Sequence, residues 1–247
     1  MEDNIIDVAN IDTPLYRIFS RERFLELVRT GRNTLVRPRM WDDPFENFFL
    51  NCTAVTDDGK DVSLEIIRDK WYGQCWTTQK DTDSMWRIYS QNKDGIRVRS
   101  TVRKLFSPLW GCFPSHDRKL MCFMGRVNYL DRNEIEKNVG ESVVEHVISD
   151  AKRIANTLLL KRSEFSHEQE IRILFHDIRS KNNSSIFQYE IDFNEFIEEV
   201  TLDPRSNDDE LKMLSDFLRG CGKNVDVNKS SLYSFSAKKI RLSTRVE

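Results

Sequence analysis

The elements that hydrophobic patterning marks along this chain do not alternate regularly. Strand candidates stand singly between helices in some stretches and follow one another in others. No regular β-α-β-α order is present to build a doubly wound sheet or a barrel. No internal repeat or low-complexity tract interrupts the pattern. The expectation is one α+β domain over residues 1–247. It has a central mixed or antiparallel sheet, flanking helices and a helical insertion near 131–161.

Leu15-Tyr16-Arg17-Ile18-Phe19 reads as a strand, with Leu15, Arg17 and Phe19 on one face and Tyr16 and Ile18 on the other. Ser20 caps the helix that follows, and Gly31 is placed to stop it. Residues 73–78 read as a strand. Asp81 or Thr82 caps a short helix holding Met85, Trp86 and Tyr89, and Lys93-Asp94-Gly95 is a turn signal. Further strand candidates are 96–98, 120–129, 170–175 and 185–191. Residues 134–161 form the longest helical pattern, with Val139, Val143, Val147, Ile154, Leu158 and Leu159 along it and Gly140 placed to split or start it. A helix over 208–219 ends at glycines, and 231–242 supplies the last strand material. Pattern does not order the stretch holding Pro108 and Pro114.

Charge and composition remove several function classes. Lys+Arg is 38 against Asp+Glu 40, a net charge of −2, which disfavours a nucleic-acid-coating protein. Arg97, Arg99, Arg103 and Lys104 form a local basic stretch that reads first as a solvated strand edge. No apolar run approaches the roughly 20 residues of a membrane span. The acidic start lacks the positive region of a secretory leader. Five cysteines, an odd number with no C-x-x-C pair, fit a reduced chain. The expected setting is cytoplasmic, away from the membrane, and the oligomeric state is left open.

The phosphate-loop and G-x-G-x-x-G patterns are absent, and His116, His146, His167 and His176 form neither H-E-x-x-H nor a zinc spacing. No metal is expected from the histidines. Three segments stand out instead. Arg17, beside Tyr16, sits in an otherwise apolar strand, where a guanidinium can bind phosphate in a two-pronged way or pair with an acid such as Asp43 or Glu46. Thr77 and Thr78 close a strand with two hydroxyls that can hold a carboxylate or a ribose. Glu168 and Glu170 stand two apart, so a strand would present both carboxylates to one side and raise the pKa of one. Trp86 and Tyr89, three apart on a helix, share a face that stacks on a base or fills the core, with core the favoured reading for Trp86.

The order of strand arginine, hydroxyl-bearing strand end and Glu-x-Glu resembles the arginine–serine–glutamate class of ADP-ribosyltransferases. The resemblance implies NAD as co-substrate. Arg17 would hold the dinucleotide phosphate and Thr77 would orient Glu170. Glu170 would stabilise an oxocarbenium ion, and Glu168 would activate a protein or nucleic-acid acceptor. Tyr16, Asp43, Glu46, Thr78, Trp86 and Tyr89 would complete the NAD-binding surface. The middle segment departs from the class pattern by reading Cys75-Trp76-Thr77-Thr78 without a serine.

A second resemblance covers more of the chain. Leu15-Tyr16-Arg17, Asp42-Asp43-Pro44-Phe45-Glu46, Cys75-Trp76-Thr77, the run from Ser84 to Tyr89, Asp94-Gly95-Ile96 and the stretch 161–172 resemble the bacterial domain family of unknown function 2971. That resemblance implies an accessory enzyme or effector, in some cases of anti-phage loci. Two other functions compete with the transferase. One is a metal-dependent nuclease using Asp43, Glu46, Glu168 and Glu170. The other is a non-catalytic nucleotide- or protein-binding module, which would leave Arg17 and Glu170 on remote faces.

Overall fold

The strand Glu170–His176 is buried along nearly its whole length, and its two faces carry different chemistry. Ile171, Ile173 and Phe175 point into one hydrophobic core together with Leu15, Phe19, Trp76 and Val98. Leu174 points into a second core with Phe49, Trp71, Phe123 and Leu158, and Glu170 and Arg172 share that face by period-two alternation. The sheet is therefore covered on both sides, and charged residues replace apolar ones at one end of the second side.

The computed structural model describes residues 1–138, 148, 150–179 and 184–240. Among them the strands in chain order are β1 (Ile5–Ile6), β2 (Pro14–Phe19), β3 (Arg32–Val36), β4 (Thr53–Val55), β5 (Asp61–Ser63), β6 (Trp71–Thr77) and β7 (Ile96–Thr101). They continue as β8 (Cys122–Arg126), β9 (Asn128–Leu130), β10 (Leu160–Arg162), β11 (Glu170–His176), β12 (Ile186–Glu190), β13 (Glu199–Leu202) and β14 (Asp226–Lys229). Ten of these strands form one sheet in the order β1-β8-β11-β6-β2-β7-β13-β14, with β3 joined to β6 and β12 to β3. The sheet is mixed, because β1–β8 and β13–β14 are parallel and the other pairs are antiparallel. Helices flank it, so the chain is a single α+β domain of the expected class.

The opening follows the sequence closely. Ser20 accepts from the Arg23 amide to cap the helix Arg21–Thr30, and Gly31 ends it in the left-handed conformation at φ 62°. Thr82 caps Asp83–Tyr89. The stretch that pattern left unordered forms two helices, Val102–Gly111 and Ser115–Met121.

Two expectations are corrected. The helical pattern over 134–161 does not run to its end. Arg132–Asn138 and Ala151–Thr157 are helical, but Lys161 lies on β10, which pairs in parallel with β9. Val139, Gly140, Val143 and Val147 lie outside the described residues. The last strand among the described residues is Asp226–Lys229; residues 231–240 carry no strand, and 241–242 lie outside the described residues. Asp226–Lys229 alternates in burial and finds a free sheet edge on β13, whereas Phe235 and Ile240 stay exposed.

The sheet forks at β6. Its edge opposite β11 pairs with β2 only at Tyr16↔Thr77 and with β3 only at Val36↔Gly73. Between those points, at Cys75, the edge has no strand partner, and the Arg17 guanidinium donates to the Cys75 carbonyl instead. Gly73 lets the Trp41 ring lie against the sheet beside this fork. A Cβ at Gly73 would stand 2.7 Å from the Trp41 ring.

Candidate active site

At the fork, a cavity of about 480 Å³ opens on the second face, lined among others by Arg17, Trp41, Asp43, Glu46, Cys75, Tyr89, Lys161, Arg162, Glu168 and Glu170. A smaller chamber of about 60 Å³ adjoins it and shares Arg17, Cys75, Tyr89, Glu168 and Glu170. Tyr16, Thr77 and Glu170 occupy one register row across β2, β6 and β11, which brings the three strand segments singled out in the sequence side by side. Arg17 and Glu170 therefore face one cavity rather than remote surfaces.

The cavity wall holds a buried charge cluster. The Lys161 ammonium has three N–H donors, and three carboxylates surround it: Glu168 Oε2 at 2.5 Å, Glu170 Oε1 at 2.6 Å and Glu46 Oε1 at 2.8 Å. Arg172, 0 % exposed, adds Glu170 Oε2 at 2.8 Å, Glu46 Oε1 at 3.0 Å and the Leu158 carbonyl at 2.7 Å. Its guanidinium also lies 4.5 Å from the centre of the Trp41 ring. Within ion-pair distance two cations thus serve three carboxylates, and one negative charge of this contact cluster is in surplus.

That surplus separates the two glutamates. Burial alone would raise the Glu170 pKa, but Arg172, the hydrogen bond from Glu168 and Lys161 outweigh it and hold Glu170 well below the usual carboxylate range. Burial and the neighbouring Glu170 raise Glu168 to about 7, against the pull of Lys161. Burial opposes the charge of Lys161, yet Glu170 and Glu46 keep its pKa above the ordinary lysine range. At neutral pH, Glu170 is fixed as a carboxylate and Glu168 exchanges a proton.

Arg17 is different. Among the described residues no carboxylate lies within ion-pair distance of it, and its buried Nε has no hydrogen-bond partner. Burial lowers its pKa, while Cys75, Tyr89 and Glu170 act in the opposite direction. A half-buried guanidinium without a counter-ion, facing a cavity, is suited to a phosphate or carboxylate ligand.

The other expected site residues divide. Tyr89, 44 % exposed, lines both chambers, and its hydroxyl donates to Glu168 Oε1 at 3.2 Å. Asp43 and Glu46 line the cavity but neither braces Arg17. Asp43 pairs with Arg162 through both oxygens, and Glu46 pairs with Lys161 and Arg172. The reason is position: both acids come from the turn Pro44–Asn47 and its cap, which packs against β10. Thr77 does not reach the Glu170 carboxylate. Its hydroxyl donates to the Glu168 carbonyl at 2.5 Å and accepts from the Gln79 amide at 2.9 Å, so it holds the backbone at Glu168. Thr78 bonds Gln169 and lines neither chamber. Tyr16 is buried and lines only the smaller chamber of the two. Trp86 is wholly buried, its indole N–H donating to Asp81, and lies outside both.

Glu168 and Glu170 converge by another route than a shared strand. Glu168 ends the 3₁₀ helix Ser163–Glu168, and Gln169 turns the chain at φ 43° before β11 begins. The residues that pattern missed are Lys161, Arg162 and the anchoring role of Arg172. Arg172 carried the same signal as Arg17, a charge in an apolar strand. Lys161 was hidden by being read as a helix end. The basic stretch resolves into structural pairs: Arg97 with Asp81 and Glu199, Arg99 and Lys104 with Glu198, and Arg103 with Asp12. No helix among the described residues is long and apolar enough to cross a membrane.

Residues 85–173 match the family described as protein of unknown function DUF2971. No curated protein matches the chain. The fold is similar to solved structures of DarT from Thermus sp. 2.9, each 10 % identical in sequence. The complex with NAD+ gives a TM-score of 0.42, covering 92 % of this chain and 100 % of that one. The complex with ADP-ribosylated ssDNA gives 0.42 over 91 % and 97 %, and the complex with carba-NAD+ gives 0.39 over 89 % and 96 %.

Proposed function

We propose that the forked-sheet cavity takes NAD and that the chain is an ADP-ribosyltransferase-like enzyme, passing ADP-ribose to an acceptor or to water. One observation carries the reading: a guanidinium without a carboxylate partner and a carboxylate fixed by two cations line the same cavity. The cavity volume lies in the range of small-molecule sites.

In this reading Arg17 holds the diphosphate through charge-assisted hydrogen bonds. Glu170 places a permanent negative charge beside the ribose. The glycosidic C–N bond breaks heterolytically, and nicotinamide leaves neutral with the bonding electrons. Positive charge develops on the ribose only as that bond breaks, so a fixed carboxylate stabilises the transition state more than the ground state. The acceptor oxygen bonds to the anomeric carbon and its proton passes to Glu168, whose raised pKa suits general-base work near neutrality.

The competing metal-dependent nuclease fits the site less well. Glu46, Glu168 and Glu170 do converge, but the point of convergence is occupied by the Lys161 ammonium, which already satisfies them. The binding-module alternative predicted remote placement of Arg17 and Glu170, and the two share a cavity.

A nicotinamide-release assay tests the proposal. The unaltered chain should release nicotinamide from NAD, and Glu170→Gln should abolish release. Turnover equal in the two proteins, or no release by the unaltered chain with protein, DNA or water as acceptor, overturns it.

A further inference from the structure

We infer that Lys161 is the positioning residue for Glu168, the one cation at ion-pair distance from it among the described residues, while Arg172 adds a second cation to Glu170 and Glu46 and so leaves Glu168 as the glutamate that exchanges a proton. The inference rests on the transferase reading for its kinetic consequence, but its geometry stands alone. The ammonium donates hydrogen bonds to Glu168 and Glu170 and forms an ion pair with Glu46 at 2.8 Å. Glu170 and Glu46 are each touched by a second cation, Arg172. Among the described residues Glu168 has no second cation at ion-pair distance; its other oxygen accepts from the Tyr89 hydroxyl, at the wall shared by the two chambers.

Glu168 and Glu170 are equally buried, so burial does not distinguish them. The distribution of cations does. The charged and titratable groups facing Glu168 are Lys161 from β10, Glu170 and Arg172 from β11, Glu46 from the turn after Asp43, Tyr89 from the helix Asp83–Tyr89, Tyr129 from β9 and, across the two shared chambers and outside ion-pair distance, Arg17 from β2 and Cys75 from β6. Tyr89 and Tyr129 are both pushed above the usual phenol range by burial and stay neutral, so they add no charge. The net surplus of one negative charge falls on the carboxylate with a single cation. Removing Lys161 raises the surplus to two, and neutralising Glu46 lowers it to zero. The two changes must move Glu168 in opposite directions.

Carboxyl carbon NMR on the full-length chain with 13C-labelled glutamate reads this directly, with Glu168→Gln and Glu170→Gln to assign the signals. In the unaltered chain Glu168 should titrate near neutrality and Glu170 should stay ionised. Lys161→Met should raise the Glu168 midpoint by more than about one pH unit, and Glu46→Gln should lower it by a similar amount. In nicotinamide release from NAD, Lys161→Met should lower kcat more than about tenfold and shift its pH profile with Glu168. KM should change by less than about threefold, because Arg17 is untouched. If Lys161→Met does not fold, the direction of the Glu46→Gln shift decides. Midpoints that move by less than about 0.3 pH in both variants, or by the same sign, overturn the assignment whatever the turnover. A kcat loss in Lys161→Met with an unmoved pH profile also overturns it, since that is a packing effect. Titrations that shift as stated in a chain that releases no nicotinamide retain the Lys161 assignment and reject the NAD reading.

Discussion

Replacing Arg172 by methionine keeps much of the volume and removes the charge. In the native chain Arg172 is fully buried, bonded to Glu170, Glu46 and the Leu158 carbonyl, and stacked on Trp41. After the substitution three buried carboxylates are left with one ammonium, and the Leu158 carbonyl loses a donor. Breaking a buried ion pair by removing one partner costs about 3–5 kcal/mol, because the other charge stays buried and uncompensated. For a domain of this size, each kcal/mol lowers the melting temperature by about 2–4 °C, so the expected fall is roughly 6–20 °C. The loss should depend on pH with a defined sign. In the variant Glu168 stays raised and Glu170 loses the cation that most lowered it, so both titrate above their unfolded value of ~4.3 and the folded state binds protons that the unfolded state has released. Variant stability therefore falls as pH rises through those raised values, and the deficit is larger at pH 8 than at pH 5. A triple variant that also carries Glu46→Gln and Glu170→Gln should recover much of the loss, since it removes the two carboxylates that Arg172 served and leaves Lys161 paired with Glu168. Urea and thermal unfolding by circular dichroism at the two pH values measure all of this. A deficit below about 1 kcal/mol at pH 8, or one of equal size at pH 5 and pH 8, would refute the reasoning.

Other outcomes follow from the same geometry. Arg17→Lys keeps the charge and loses the planar fork, so calorimetry should find NAD binding weakened by about 1–3 kcal/mol with the fold intact; unchanged affinity would remove Arg17 from the binding surface. In the unaltered chain, Glu168 contributes a decline in stability as pH rises from ~4.3 towards its folded value of about 7, at most about 1.4 kcal/mol for each pH step of one across that window. Glu170, held below its unfolded value, contributes stability that is present above ~4.3 and lost as pH falls below it. Comparing pH–stability curves with Glu168→Gln should show the first decline gone, and an unaltered curve would contradict the assignment. Gly73→Ala pushes a Cβ into the Trp41 ring at 2.7 Å and should cost about 1–3 kcal/mol, with quenching or a spectral change of tryptophan fluorescence as the ring moves; a neutral effect would mean Trp41 repacks freely.

Local chemistry in the sequence was enough for the opening strand, its capped helix and the left-handed stop at Gly31, because those depend on residues within one or two turns of each other. It was also enough to mark Arg17, Glu168 and Glu170, since a charge beside or within an apolar strand is visible without a fold. The period-two argument for the two glutamates reached a true convergence by a wrong path, because the chain turns at Gln169 between them and the Thr77 and Thr78 hydroxyls at the end of β6 bond that turn. The fork in the sheet, which frees the Cys75 carbonyl for Arg17, could not be read from pattern, since it depends on where β2 and β3 each meet β6. Nor could Lys161. An aliphatic run ending in lysine continues a helix or starts a strand equally well. Pairing with β9 decides between them, and that choice carries the ammonium to within hydrogen-bonding distance of Glu46, Glu168 and Glu170, with Glu46 far away along the chain. Sequence determined which residues are chemically anomalous. Tertiary structure decided which of them share a charge balance, because desolvation and Coulomb energy depend on distances that only the folded chain sets.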